Sequence, residues 1–385
     1  MANKNLKNAR RAKNDEFYTQ YIDIQKEVEA YLEYNPDVFR DKVVYCNCDD
    51  PFESNFFRYF VLNFNRFGLK TLITTSYKPS PVANTQIALF GNDKTPTKSK
   101  GRPKITANKF IINEVHDIDG DGEFNLKDVA KQLKANKHNE WMPLGADGDF
   151  RSDECVSLLK QSDIVVTNPP FSLFREYVKQ LFDSDKKFLI IGSMNAITYK
   201  EIFPLLKDNK MWLGAGKNDG RNVWYQVPDS YENFHKKESG KKYAYVAGTV
   251  WFTNLDHGRR HQPLPLMTEK EIIKFVTKKP FEKYDNYDAI EVPLVKNIPS
   301  DYGGVMGVPI SYLSKYNPEQ FKILGLSRYT KTQGMSKAFV DAYYKSGQKG
   351  TISEGHPDLC YYDHNNRPVV PYMRVLIKLN KVVNK

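Results

Sequence analysis

Residues Asp163-Ile-Val-Val-Thr167 form a short, largely apolar run, and Asn168-Pro169-Pro170-Phe171 follows it at once. This stretch constrains the fold more than any other. A short β-branched run reads as a strand buried on both faces, and such strands belong to parallel sheets covered by helices. Proline has no N–H to give to a ladder, so the strand ends by Thr167 and delivers Asn168 to its carboxyl end. In open α/β sheets, ligands bind outside that end.

The surrounding pattern agrees. A helix is predicted around Asp23 to Leu32, a strand over Lys42 to Cys46, a helix from Ser54 to Phe67 and a strand over Leu69 to Thr75. After Lys78 to Lys104, rich in Pro, Lys, Thr and Ser, regular structure resumes at Phe110, with a helix from Leu126 to Lys134. A helix over Leu173 to Phe182 and the strand Lys187 to Ile191 follow the proline pair. Alternating strands and helices predict an α/β fold with a mostly parallel sheet. Three parts are expected: a basic arm over residues 1–15, a catalytic domain over 16–210 with an insert at about 78–140, and a region over 211–385 holding the closing strands.

The net charge of +11 suits a polyanionic partner, and the 24 tyrosines and 23 phenylalanines add stacking capacity. No apolar run reaches the roughly 18 residues of a membrane span, and no signal-peptide pattern opens the chain, so a cytoplasmic location is expected. Cys46, Cys48, Cys155 and Cys360 are too scattered for a disulfide framework; Cys46 and Cys48 are expected to share one face of a strand as small core residues.

The proline motif suits methylation of an exocyclic amine on an aromatic ring. Such an amine is a poor nucleophile because its lone pair is delocalised. Two facing acceptors, the Asn168 side-chain oxygen and the Pro169 carbonyl, would localise that pair, and the locked φ angles of Pro169 and Pro170 would aim them. Phe171 could stack on a base swung out of its duplex. Adenine N6 and cytosine N4 fit equally well at this point. A Pro-terminated strand with Asn168 as a helix cap is the plainer alternative.

Asn168 to Phe171 resembles the motif of the amino-methyltransferases of DNA. Asn14-Asp-Glu-Phe-Tyr-Thr-Gln20, Cys46-Asn-Cys-Asp-Asp-Pro51, Trp251-Phe-Thr-Asn-Leu-Asp256 and Gly304-Val-Met-Gly-Val-Pro309 extend the likeness to the EcoRI-type adenine-specific DNA methyltransferases. The resemblance implies a seven-stranded, Rossmann-like methyltransferase sheet with a C-terminal target-recognition region. It also implies S-adenosylmethionine as methyl donor, adenine N6 as acceptor and direct displacement. Phe17, Tyr18 and Thr19 match the segment that closes over the cofactor; Asp49, Asp50, Pro51 and Ser54 stand where its methionine end binds; Asp147, Asp149 and Phe150 match the segment that meets its adenine. Glu53 and Asn55 replace the usual glycines, and Thr74-Thr-Ser-Tyr77 offers no carboxylate for the ribose. Asp50 or Ser54 could equally be a helix cap, and Asp147 to Phe150 a simple turn.

For double-stranded DNA, Lys217, Asn218, Arg221 and Asn222 form one candidate reading cluster, and Arg259 and Arg260 a second, flanked by His257 and His261. Asp117, Asp119, Asp121 and Asp128 fit the spacing of a calcium loop with Gly122 at its sixth position; an ordinary acidic turn is the alternative. The chain is expected to act as a monomer; whether a restriction endonuclease accompanies it is left open by the sequence. Competing readings are a protein glutamine methyltransferase, which can use a similar tetrapeptide, and a DNA-binding relative without activity. The basic charge and the intact Asn168 to Phe171 favour DNA methylation.

Overall fold

In a computed structural model of the chain, the structure describes residues 19–48, 54–76, 107–118, 120, 124–135, 137–145, 147–216, 223–227, 235–246 and 248–381. These residues divide into two compact units. One runs up to Ala196 and takes up the chain again over Leu213–Gly258; the other comprises Ile197–Trp212 and the chain from Arg259 onward.

The first unit is built on a sheet whose centre is parallel. Strands β1 (Val43–Cys46), β2 (Thr71–Thr75), β5 (Ile164–Thr167) and β6 (Lys187–Ser193) run parallel, in the order β2-β1-β5-β6. Antiparallel strands extend both edges, β3 (Asn108–Ile112) and β4 (Glu140–Pro143) beyond β2 and β11 (Thr249–Thr253) beyond β6, and the two-residue β7 (Trp212–Leu213) comes next to β11 in the sheet. All four residues of β5 are buried, as its apolar sequence requires. A small antiparallel sheet, β8 (Val223–Val227), β10 (Lys241–Val246) and β9 (Lys236–Glu238), belongs to the same unit.

Strand alternation assigns the two faces. Val44, Cys46, Leu72, Ile164, Val166, Leu189 and Ile191 share one core with residues of helices α1 (Tyr21–Tyr34), α2 (Asn55–Leu62) and α3 (Leu126–Ala135). Tyr45, Val165 and Ile190 alternate with them and are also fully buried. Helix α4 (Asp153–Gln161) packs on β1, and helix α5 (Phe174–Asp183) packs on β6. Chain order matters more than strand count here. From β1 the chain moves to β2 on one side, and β5 later returns on the other, so the carboxyl ends of β1 and β5 flank a topological switch point.

Three expectations change. The described sheet has eight strands rather than seven. Glu-Trp-Met-Pro of β4 is half-exposed at an edge and has no apolar periodicity, so it gives no strand signal in the sequence. The helix predicted from Ser54 to Phe67 breaks at Asn63, whose side-chain amide donates to the Tyr59 carbonyl at 2.8 Å and competes with the backbone ladder; a short turn, Phe64–Phe67, follows. Cys48 does not continue the strand face of Cys46: it sits in a turn with φ +64°, in the left-handed region.

The second unit holds a four-stranded sheet, in the order β12 (Ile290–Glu291), β13 (Met306–Pro309), β17 (Arg374–Leu379) and β14 (Phe321–Leu326). The short strands β15 (Tyr361–Tyr362) and β16 (Pro368–Val369) pair with each other beside it in sequence. Glu291, 2% exposed, receives two-pronged hydrogen bonds from Arg374 at 2.6–3.1 Å and one from the Tyr284 hydroxyl. This buried ion pair links β12 to β17. Among the described residues, no helix is long and apolar enough to cross a membrane.

Candidate active site

The site is assembled from the residues that leave the sheet at the switch point. Asn168 follows β5 directly and is 9% exposed. Pro170, at φ −56°, opens a 3-10 turn over Phe171–Leu173, and its carbonyl accepts from Leu173 N–H at 3.0 Å. The turn thus consumes the Pro170 carbonyl and not that of Pro169. Phe171 is half-buried, with one part packed on the main core. Asn168, Pro169, Pro170 and Phe171 therefore stand together at one strand end, as the motif requires.

Asn47, one residue past β1, joins the two strand ends. Its carbonyl accepts from the Thr167 hydroxyl, and its side-chain oxygen accepts from the hydroxyl of Tyr177 on α5. Asn47 and Tyr177 are both fully buried or nearly so. Each hydroxyl offers one proton to one acceptor, and an unmade bond at this depth costs about 1–3 kcal/mol. The register between the β1 end and Asn168 is fixed by these bonds.

The segment Asp147 to Phe150 docks onto the end of β2. Gly148 has φ +80°, and a Cβ there would lie 1.9 Å from the Ser76 carbonyl oxygen, so only glycine allows the approach. The Asp147 side chain accepts from Asp149 N–H at 3.1 Å, which leaves Asp147 exposed at the rim of the turn. Asp149 is engaged by Arg151 through two side-chain bonds at 2.6 and 2.8 Å. Those bonds and the charge of Asp149, with Glu176 nearby, hold the Arg151 guanidinium well above its ordinary pKa. Phe150 is 4% exposed and meets Tyr177 edge to face at 5.1 Å.

Glu154, on α4, braces this segment from behind. It accepts from Gly145 N–H and from Lys109 Nζ, each at 2.9 Å. Burial raises its carboxyl, but these two donors outweigh it and leave the pKa below the usual carboxylate value. Thr74, Thr75 and Ser76, where a ribose-binding acid is common, are spent on Cys46, Tyr45 and Asn108.

Ser54 is the N-cap of α2, accepting from Phe56 and Phe57 N–H at 3.1 and 3.4 Å. Beside it, the Asn55 amide donates to the Thr19 carbonyl at 2.7 Å, which brings Thr19 to the start of α2. The Thr19 hydroxyl is buried and has no hydrogen-bond partner among the described residues. Phe17, Tyr18, Asp49, Asp50 and Pro51 lie outside the described residues.

Comparison with known proteins decides the family. The sequence model of the adenine-specific methyltransferase EcoRI family matches residues 5–380. The chain belongs to that family. It is 46% identical to the Type II methyltransferase M.EcoRI of Escherichia coli over 327 residues, covering 84% of this chain and 89% of the relative. It is 36% identical to the Type II methyltransferase M.MpnI of Mycoplasma pneumoniae over 323 residues, covering 82% and 83%. A Type II methyltransferase of Mycoplasma genitalium is 35% identical over 322 residues, covering 82% and 84%. No solved structure matches the chain.

The other candidate residues of this EcoRI-family chain fare differently. Arg260 is half-buried, with its guanidinium 3.9 Å from the centre of the Trp212 ring and a bond to Asn209 at 2.5 Å, so much of its donor capacity is spent inside its own unit. Arg259 is half-buried beside it. His257, expected beside the reading cluster, is 3% exposed: it bonds the Leu213 carbonyl at 3.0 Å and packs edge-on against Tyr31. Lys217, Asn218, Arg221 and Asn222 lie outside the described residues, but the chain entering them is anchored. Glu27 of α1, 1% exposed, accepts from Ala215 N–H at 2.7 Å and Gly216 N–H at 2.5 Å.

The calcium expectation finds no support. Asp128 is fully buried, and its two oxygens accept from Ile118 and Asn125 N–H at 3.0 and 2.9 Å. Asp117 accepts from Gly120 N–H at 2.7 Å. The two residues close a turn and cap α3; Asp119 and Asp121 lie outside the described residues. Among the described residues no group of three or more His, Cys, Asp or Glu side chains could hold a metal ion.

Tyr177, Glu154 and Glu27 carry no mark in the sequence, and Asn47 stands out only as part of the Cys46 to Pro51 likeness, which gives it no role of its own. Their partners lie 130 positions away for Asn47 and Tyr177, and 188 for Glu27 and Ala215. Nothing in a single sequence signals such pairs.

Proposed function

We propose that this adenine-specific DNA methyltransferase moves a methyl group from S-adenosylmethionine to N6 of a flipped adenine at the β1–β5 switch point. The observation that carries this is Asn168 and Pro169 at the carboxyl end of β5, locked to the β1 end through Asn47. The Asn168 Oδ1 atom and the Pro169 carbonyl accept from the adenine amino group and localise its lone pair as attack begins. Phe171 stacks on the base after it leaves the helix. Unpairing and unstacking cost a few kcal/mol, which stacking on Phe171 and the contacts around the amine offset.

The residues present fit the cofactor. The Thr19 hydroxyl is a buried polar atom without a partner among the described residues, and it sits by the start of α2, next to the end of β1 in chain order. It would take a polar group of the methionine end, together with Asp49, Asp50 and Pro51; Ser54 keeps the helix start in place. Asp147 would accept from the cofactor's adenine amino group, while Asp149, Arg151 and Phe150 hold that turn in shape. When bound, S-adenosylmethionine supplies a methyl already activated on a sulfonium, so the protein's share is alignment and amine activation. Target recognition is assigned to residues 211–385, including Lys217, Asn218, Arg221, Asn222 and Arg259.

The test is product identity. Duplex DNA is incubated with labelled S-adenosylmethionine, digested to nucleosides and analysed by mass spectrometry. N6-methyladenine is expected. N4-methylcytosine would overturn the choice of base and leave the amine chemistry standing; 5-methylcytosine, or transfer to protein alone, would overturn both.

A further inference from the structure

An exposed aromatic side chain with lysines around it stands in the second unit. The helix Glu269–Ile272 starts at a capping box between Thr268 and Glu271 and continues as a π turn over Ile273–Thr277, ended by Lys278 at φ +60°. Ile272 is fully buried. On a regular helix Phe275, three residues on, would share its face. The widened i→i+5 turn rotates it away, and π turns of this kind concentrate at functional sites. Phe275 is 63% exposed and the adjacent Val276 is 39% exposed. Burying a phenylalanine is worth about 1.5–3 kcal/mol, so a turn that displays one forgoes that gain.

Charge is segregated along the same element. Glu269 and Glu271 stand at its first turn, where Asp301 accepts from Glu269 N–H. From Lys274 to Lys279 there are three lysines and no acid, and Lys274, Lys278 and Lys279 are exposed. The Lys274 ammonium lies 4.9 Å from the centre of the Phe275 ring. An exposed aromatic ring rimmed by lysines matches a polyanion that also offers stackable rings. Two apolar side chains are too few for stable insertion into a lipid surface, where anchoring takes a larger apolar face.

We propose that Phe275 is a wedge that stacks on or between DNA bases, with Lys274, Lys278 and Lys279 on the flanking phosphates. The inference rests on the DNA-methyltransferase reading and adds an anchor point outside the methyl-transfer site. Proteins that insert an apolar side chain at a base step kink the duplex and gain buried surface.

The experiment compares the full chain with Phe275→Ala, Phe275→Trp and Lys274→Ala/Lys278→Ala on a cognate duplex across a salt series. Phe275→Ala should weaken binding about 5- to 150-fold, the equivalent of one base–aromatic stack, with the salt slope unchanged. Phe275→Trp should keep the affinity. The double lysine variant should lower the log–log salt slope by about 0.9 for each phosphate it no longer neutralises. A fluorescent base analogue scanned along the duplex should report a step that Phe275→Ala no longer unstacks. Wild-type affinity in Phe275→Ala would overturn the wedge, as would a loss confined to anionic vesicles or to self-association in sedimentation. If the wild-type chain neither binds nor methylates DNA, the parent reading fails instead.

Discussion

In the proposed reaction Asn168 contributes a single acceptor, its side-chain oxygen. Replacing it with alanine removes an acceptor that matters only as the amine becomes a nucleophile. Methyl transfer by Asn168→Ala is therefore expected to fall by about 10²–10³, or roughly 3–4 kcal/mol, with cofactor affinity retained. Single-turnover kinetics beside isothermal titration of S-adenosylmethionine measure the two, and wild-type turnover would remove Asn168 from the reaction. Tyr177 acts one step behind. Its hydroxyl satisfies the buried Asn47 oxygen, so Tyr177→Phe leaves that acceptor unmatched. The expected cost is about 1–3 kcal/mol of stability, read as a lower urea midpoint. An unchanged midpoint would show that the bond contributes nothing. Asn168 is legible in the sequence because strand, asparagine and prolines are contiguous. Asn47 is legible only as part of the Cys46 to Pro51 likeness: what it does comes from Thr167 and Tyr177, far away in the chain.

Among the elements, α4 shows how a helix can brace a turn it does not belong to. Glu154 ties Gly145, just before the Asp147 turn, to α4 and to Lys109 on β3. Its folded-state pKa lies below the unfolded value near 4.5. A lowered carboxylate pKa contributes stability that is present above the unfolded value and lost as pH falls through the folded one. The acid limb of the melting curve below about pH 4.5 should accordingly be shallower in Glu154→Gln than in the wild type, with the two proteins differing most at neutral pH. Parallel melting profiles at all pH values would exclude Glu154 as the source. The central strands β1, β2, β5 and β6 are readable because burial on both faces forces continuous β-branched runs. β4 is not, since an edge strand needs no such run, and α4 escapes notice because its mixed sequence shows only a short apolar stripe, Cys155, Leu158 and Leu159.

For the whole molecule, cations and apolar side chains leave different marks on the salt dependence of DNA binding. The net charge is +11, and Lys4, Lys7, Arg10, Arg11 and Lys13 fall within the first thirteen residues with no apolar anchor among them. Cations on phosphates release condensed counterions, so each neutralised phosphate adds about 0.9 to the log–log dependence of affinity on salt. An apolar wedge such as Phe275 displaces no counterion and shifts affinity equally at every salt concentration. Removing residues 1–13 should therefore do the opposite of Phe275→Ala: it should flatten the salt dependence, weaken binding most at low salt, and leave the transfer rate of the bound complex untouched. Dissociation constants between about 50 and 200 mM salt, with single-turnover rates at saturating DNA, measure both parts. An unchanged slope would show that the arm does not touch DNA. A slower saturated rate would place those five cations in the transfer step instead of in the approach.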